Sequence, residues 1–173
     1  DLELLVRVVS EIFLENSNIA WKLVLIGDGV RKTQLKKLIS DLDLQESIII
    51  ANPMEKNEVL TYLQTSGILY LGVANYPALA KTIPSKIFDY LSVGRPIVAA
   101  VEGEGKRILM KSSGNVVVEP GNSVEIKNAL KEVIGNYTDY LEKSQENIDL
   151  VRNYFTREKS VDELVSTLER LTN

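Results

Sequence analysis

A short segment near the middle of the chain combines residue types that suit the binding of a nucleotide. It reads Pro84-Ser85-Lys86, with Asp89 one helical turn further on. Proline is favoured at the first position of a helix, and the unpaired N–H groups of a helix start attract anions. We therefore predict a helix over residues 84–93 whose start holds a phosphate. The Asp89 carboxylate could accept a hydrogen bond from a sugar hydroxyl.

The elements around this segment follow a regular alternation. Apolar runs, predicted as buried strands, occupy residues 21–26, 47–51, 67–73, 96–101 and 115–118, and helical patterns occupy 1–15, 30–42, 55–65, 106–112, 123–135 and about 138–172, with a break near Tyr154-Phe155-Thr156. Strands that are apolar throughout and alternate with amphipathic helices are typical of parallel βαβ units. The predicted fold is a single Rossmann-like domain, a three-layer α/β/α sandwich with a parallel sheet.

Glycine and polar residues follow the predicted strands. Gly27-Asp28-Gly29 comes after the first, Asn52-Pro53 after the second, residues 74–76 after the third, and Glu102-Gly103-Glu104-Gly105, predicted as a plain turn, after the fourth. Parallel βαβ sheets bind ligands at the carboxyl ends of their strands, so we expect these segments to meet the start of helix 84–93 in a cleft. Gly27-Asp28-Gly29 is not the dinucleotide fingerprint, because no third glycine follows at the required spacing.

Composition excludes several classes of protein. The 173 residues include neither Cys nor His, and the net charge is −4. Disulfides and thiolate metal sites are therefore impossible, and the commonest general base is missing. A nucleic-acid binder would usually be basic. The lack of Cys suits the cytoplasm, and no apolar run is long enough to predict a transmembrane helix.

The order of these motifs resembles the C-terminal, donor-binding domain of GT-B fold retaining glycosyltransferases of the family 4, or group 1, type. The matching segments cover nearly the whole chain: residues 22–29, 61–63, 84–99, 117–122 and 154–158. The resemblance implies transfer of a sugar from a nucleotide-sugar, a UDP- or GDP-sugar, to a glycan or lipid-linked acceptor in bacterial surface polysaccharide synthesis. It implies no metal and no further cofactor. A lipid-linked acceptor would place the protein at the inner face of the membrane.

The same resemblance implies roles for individual residues, although it assigns no catalytic residue. The backbone amides of Ser85 and Lys86 would hold the distal phosphate, and Asp89 would bind the ribose hydroxyls. The loop Asn52-Pro53-Met54 would contact the base through its backbone. Gly27-Asp28-Gly29 would line the cleft near the nucleotide.

The sequence departs from the pattern of that family at three points. Lys81 stands where the first Glu of the Glu-x7-Glu motif is usual, and the shorter Asp89 replaces the second. The opening strand with its Arg and Lys pair, and the N-terminal acceptor domain, are expected to be missing from this chain. We therefore expect the isolated chain to bind its donor weakly and to transfer nothing.

Three alternatives remain open at this stage. An epimerase-like GT-B enzyme is disfavoured because the chain has no His, and a receiver-like domain is disfavoured because only Asp28 lies at a suitable strand end. A non-catalytic scaffold domain is supported by Lys81. Residues 157–172 carry Val161, Leu164, Val165, Leu168 and Leu171 at helical spacing, which predicts a helix packed on this domain or against another one.

Overall fold

The computed structural model describes residues 1–15, 21–74, 76 and 81–172, apart from the side chains of Glu163 and Thr172. Helices and parallel strands alternate along these residues. Their bounds are α1 (Leu2–Glu15), β1 (Leu23–Ile26), α2 (Lys32–Asp41), β2 (Ile48–Ala51), α3 (Lys56–Thr65), β3 (Leu69–Gly72), α4 (Lys86–Ser92), β4 (Ile97–Ala100), α5 (Gly103–Leu109), β5 (Asn115–Val118), α6 (Ser123–Gly135), α7 (Tyr137–Lys143), α8 (Gln145–Tyr154) and α9 (Arg157–Thr172).

The strands form two parallel sheets. β1 pairs with β2, where Leu23 lies opposite Ile48, and β4 lies between β3 and β5, where Ile97 lies opposite both Leu69 and Asn115. The five predicted strands and their parallel pairing are confirmed. The sheet is divided, however, because β1 and β3 do not pair with each other. Each of these two strands has a strand partner on one edge only among the described residues.

Strand β4 shows why a strand that is apolar throughout is packed on both faces of its sheet. Its side chains alternate between two hydrophobic clusters: Val98 and Ala100 lie in the cluster under α1 and α6, and Ile97 and Ala99 lie in the cluster around α4. All four residues are buried. Side chains that point alternately to opposite faces are all apolar only if both faces are packed.

Strands β1 and β2 are less buried than the sequence predicts. Leu23 and Leu25 pack against the cluster under α1 and α6. On the opposite face Val24 is 39% exposed and Ile49 is 40% exposed. The prediction of a fully buried strand is therefore wrong for β1 and β2, because the described helices close only one face of this pair.

The start of α5 corrects a second prediction. Glu102 precedes the helix, and Gly103 to Gly105 form its first turn rather than a plain turn before residue 106. A Cβ atom on Gly105 would lie 3.1 Å from Cδ1 of Ile87 in α4. Glycine at this position therefore lets the starts of α4 and α5 approach closely.

Helix α9 contradicts one of the two predicted arrangements of residues 157–172, the one in which it packs on this domain. Its start is as expected, since the Thr156 hydroxyl accepts a hydrogen bond from the Lys159 amide at 3.3 Å. Its apolar stripe, however, is exposed rather than packed on the domain: Val161 52%, Leu164 59%, Val165 47%, Leu168 53% and Leu171 78%. None of the described helices is long and apolar enough to cross a membrane.

Candidate functional site

A cleft of about 410 Å³ opens beside the carboxyl end of β1. Its walls come from elements distant in sequence: the loop after β1, the segment after β3 and the start of α4. The described residues that line it are Asp1, Leu2, Glu3, Leu25, Ile26, Gly27, Asp28, Gly29, Arg31, Lys32, Leu35, Ile50, Ala74, Tyr76 and Lys86. The expected convergence of strand ends on the start of helix 84–93 is therefore confirmed for these segments.

The loop after β1 turns sharply at two glycines. Gly27 has φ +144°, a conformation that disfavours any residue with a side chain, and a Cβ atom there would meet nothing within 4 Å. Asp28 Oδ1 accepts a hydrogen bond from the Gly29 amide at 2.9 Å. The loop thus presents backbone at Gly27 and a carboxylate at Asp28 to the cleft.

Lys32, the first residue of α2, ties this loop to the end of β2. Its ammonium donates to the Asn52 Oδ1 atom at 3.1 Å and to the Gly27 carbonyl at 3.4 Å. It also lies 3.6 Å from Asp28 Oδ1, and its side chain is only 19% exposed. Asn52 itself is exposed and does not line the cleft. Lys32 is therefore the link between Asn52 and the cleft wall.

The start of α4 differs from the predicted one by two residues. The helix begins at Lys86, with Ser85 as its N-cap and no hydrogen bond from the Ser85 side chain, so Pro84 lies outside the first helical position. The amides of Ile87 and Phe88 donate to the carbonyls of Pro84 and Ser85, at 3.0 and 3.3 Å. The amides of Ser85 and Lys86 are thus at the open end of the helix, where an anion is favoured.

Asp89 lies on α4 outside the lining of the cleft. Its carboxylate is 4.0 Å from the ammonium of Lys56, and its side chain is 48% exposed. Burial, followed by the charge of Asp89, raises the pKa of the neighbouring Tyr90. The Tyr90 phenol therefore keeps its proton at neutral pH and is unsuited to act as a base.

The predicted site residues thus divide into two groups. Gly27, Asp28, Gly29 and Lys86 line one cleft, whereas Asn52, Pro53, Ser85 and Asp89 lie outside its lining. Asn75 lies outside the described residues.

Sequence reasoning missed two basic residues that line the cleft, Lys32 and Arg31. The spacing of four residues between Asp28 and Lys32 was the available signal, because it suggests an ion pair at a helix start. Arg31 faces Glu3 of α1 at 3.6 Å.

The cleft carries both signs of charge. Arg31, Lys32 and Lys86 supply cations, and Asp1, Glu3 and Asp28 supply carboxylates. Glu3 faces Arg31 and Asp28 faces Lys32, each within 4 Å, whereas the Asp1 carboxylate accepts a hydrogen bond from the Leu4 amide at 3.1 Å. Lys86 has no acidic partner within 4 Å among the described residues. A phosphate group entering the cleft would therefore find its free cation at the start of α4.

The parallel strands, their flanking helices and the cleft at the strand ends define the class of the fold: a Rossmann-like α/β domain. Residues 1–151 match the family model described as glycosyl transferases group 1. The chain belongs to that family.

Two curated relatives agree with this assignment. An uncharacterized glycosyltransferase of Haemophilus influenzae is 27% identical over 135 residues, which cover 78% of this chain and 36% of the relative. The amylovoran biosynthesis glycosyltransferase AmsD of Erwinia amylovora is 28% identical over 104 residues, which cover 60% and 28%. The chain therefore spans about a third of the length of these relatives.

Solved structures of low sequence identity share the fold. Anabaena HepE in complex with UDP has a TM-score of 0.81 at 14% identity, covering 96% of this chain and 44% of that one. Sucrose-phosphate synthase from Thermosynechococcus elongatus has a TM-score of 0.80 at 13% identity, covering 98% and 42%. The C-terminal domain of the Francisella tularensis protein LpcC has a TM-score of 0.75 at 17% identity, covering 90% and 80%.

Proposed function

We propose that this chain is the donor-binding domain of a glycosyltransferase and that it binds a nucleotide-sugar in the cleft. The observation that carries the proposal is that Gly27, Asp28, Gly29 and Lys86 share one cleft at the carboxyl ends of parallel strands. HepE, which shares the fold, has been crystallised with UDP and with UDP-glucose. A UDP- or GDP-sugar is therefore the proposed ligand.

The diphosphate would lie at the start of α4. The amides of Ser85 and Lys86 are at the open end of that helix, and Lys86 lines the cleft. As the bond to the sugar breaks, negative charge grows on the leaving diphosphate. Donors fixed in advance at that position stabilise the charge without reorganising, which lowers the barrier to transfer.

The nucleoside would extend from the cleft toward Asn52 and Asp89. The backbone of Asn52-Pro53-Met54 would contact the base, and the Asp89 carboxylate would accept hydrogen bonds from the ribose hydroxyls. Asp89 lies 4.0 Å from Lys56, so ribose binding would exchange a long, half-exposed ion pair for shorter hydrogen bonds. The proposed transfer retains the configuration of the sugar and uses no metal or other cofactor.

The acceptor and part of the reaction centre would belong to a longer protein. This chain spans about a third of its curated relatives, and one of those relatives is named for amylovoran biosynthesis. We propose an acceptor that is a glycan or a lipid-linked glycan of the bacterial surface, reached from the cytoplasm at the membrane face. The chain by itself would bind donor and transfer nothing.

The test is ligand-observed NMR with UDP-, GDP-, ADP- and dTDP-sugars. We expect one nucleotide to bind selectively and Asp89→Ala to weaken that binding about tenfold, as loss of hydrogen bonds to a charged group would. Asp162→Ala, which removes an exposed carboxylate on α9, is the matched control. Binding that is equal in the two variants would count against a ribose site at Asp89, and a scaffold domain would bind none of the four.

A further inference from the structure

We propose that Lys32 is a positioning residue that orients the Asn52 side-chain amide and so favours a pyrimidine base with a carbonyl oxygen, rather than an amino group, at the position where uracil and cytosine differ. This inference rests on the proposed function, since it concerns the base of the nucleotide bound there. In that role Lys32 would make uracil a better ligand than cytosine, which carries an amino group at the equivalent edge.

The surroundings of the Lys32 ammonium carry the first step. Three oxygen atoms face it: Asn52 Oδ1 at 3.1 Å, the Gly27 carbonyl at 3.4 Å and Asp28 Oδ1 at 3.6 Å. An ammonium group has three donors and no acceptor. Its donors are therefore directed at the protein, and the 19% exposure of the side chain leaves little of it for a ligand phosphate.

The second step concerns the orientation of the Asn52 amide. An asparagine amide ends in an oxygen acceptor on one side and an NH₂ donor on the other. Lys32 offers only donors, so the oxygen must face it, and turning the amide over would set donor against donor. The NH₂ group of Asn52 is thereby held on the side away from Lys32, at the end of β2.

The third step is the chemistry that a fixed NH₂ group selects. Uracil and cytosine have nearly the same shape, but uracil presents a carbonyl oxygen where cytosine presents an amino group. A fixed donor pairs with the carbonyl and faces another donor in cytosine, so the difference amounts to one hydrogen bond. We expect UDP to bind at least about fivefold more tightly than CDP.

The experiment measures the ratio of UDP to CDP affinity in three variants of the whole chain. Lys32→Met removes the donors but keeps the length of the side chain, and it should bring the ratio close to one. Lys32→Arg keeps a donor-only group and should retain the preference. Lys36→Met, an exposed position on the same helix, is the matched control and should leave the ratio unchanged. A purely structural role for Lys32 would lower both affinities by the same factor, which would overturn the inference.

A measurement without ligand separates this inference from the proposed function. In ¹⁵N-labelled protein the side-chain NH₂ resonances of Asn52 should shift in Lys32→Met and remain in place in Lys36→Met. No shift would overturn the contact on which the inference depends. If the Asn52 resonances shift as expected in Lys32→Met but the protein binds no nucleoside diphosphate, the proposed function is overturned. The preference for a base is then overturned with it.

Discussion

At the scale of residues, ion pairs between helices make the clearest prediction about pH. Glu15 at the end of α1 contacts the ammonium groups of Lys127 and Lys131 on α6, at 2.6 and 2.7 Å. Hydrogen bonds from Lys127 and then Lys131 lower the pKa of Glu15 from 4.5 to about 2. A carboxyl group whose pKa is lower in the folded state stabilises the fold above its unfolded pKa and loses that effect as pH falls through the folded value. The stabilisation should therefore disappear between about pH 4.5 and pH 2.

Glu15→Gln tests this expectation by urea unfolding. The variant should be slightly less stable than the parent at pH 6 and equally stable near pH 2. Because the Glu15 side chain is 45% exposed, the difference at pH 6 should shrink in high salt. Glu46→Gln, which changes an exposed carboxylate, should leave the stability unchanged and serves as the control. A difference that persists at pH 2 would mean that packing, rather than charge, is lost.

The residues of the site show what a sequence can predict of a cleft. Gly27-Asp28-Gly29 could be placed because parallel strands end on one edge, a rule that depends only on chain order. The contact between Lys32 and Asn52 could not be predicted, because 20 residues separate the two and Asn52 follows another strand. Side-chain contacts of that kind arise from tertiary packing, which leaves no local pattern.

Among the helices, α9 shows that apolar periodicity in the sequence predicts a helix but does not predict what that helix packs against. The apolar spacing of Val161, Leu164 and Leu171 correctly predicted a helix with one apolar face, yet these residues are more than half exposed. Phe155, just before α9, is the last residue along the chain that packs against the cluster around α4. Its ring centroid lies 5.1 Å from that of Phe88. Periodicity identifies the face of a helix, whereas the surface that covers it depends on the rest of the fold.

Deleting residues 157–173 tests how little α9 contributes to the domain. Since its apolar stripe is exposed, we expect the melting temperature to change by less than about 3 °C. Phe155→Ala, which removes a ring packed at the end of the same cluster, should lower it more. A large loss of stability on truncation would show that α9 packs on the domain in solution.

For the molecule as a whole, the divided sheet predicts which backbone amides of β1 and β3 lack a hydrogen-bond partner in a neighbouring strand within the described part of the chain. The amides of Leu23 and Gly27 donate to β2 and its flank, and those of Leu69 and Val73 donate to β4 and its flank. Alternate amides of a strand point to opposite edges. The amides of Val24 and Ile26 in β1, and of Tyr70 and Gly72 in β3, therefore point to edges that have no strand partner among the described residues.

Hydrogen exchange followed by NMR can measure this alternation within single strands. In the isolated chain, the amides of Val24, Ile26, Tyr70 and Gly72 should exchange faster than those of Leu25 and Leu71, their neighbours in the same strands. The amides of β4 should exchange most slowly, because that strand is paired on both edges and all four of its residues are buried. Equal protection along β1 would mean that another polypeptide segment pairs with its open edge in solution. The divided sheet would then be completed by a strand, and if that strand ran parallel to β1 its carboxyl end would add residues to the wall of the cleft.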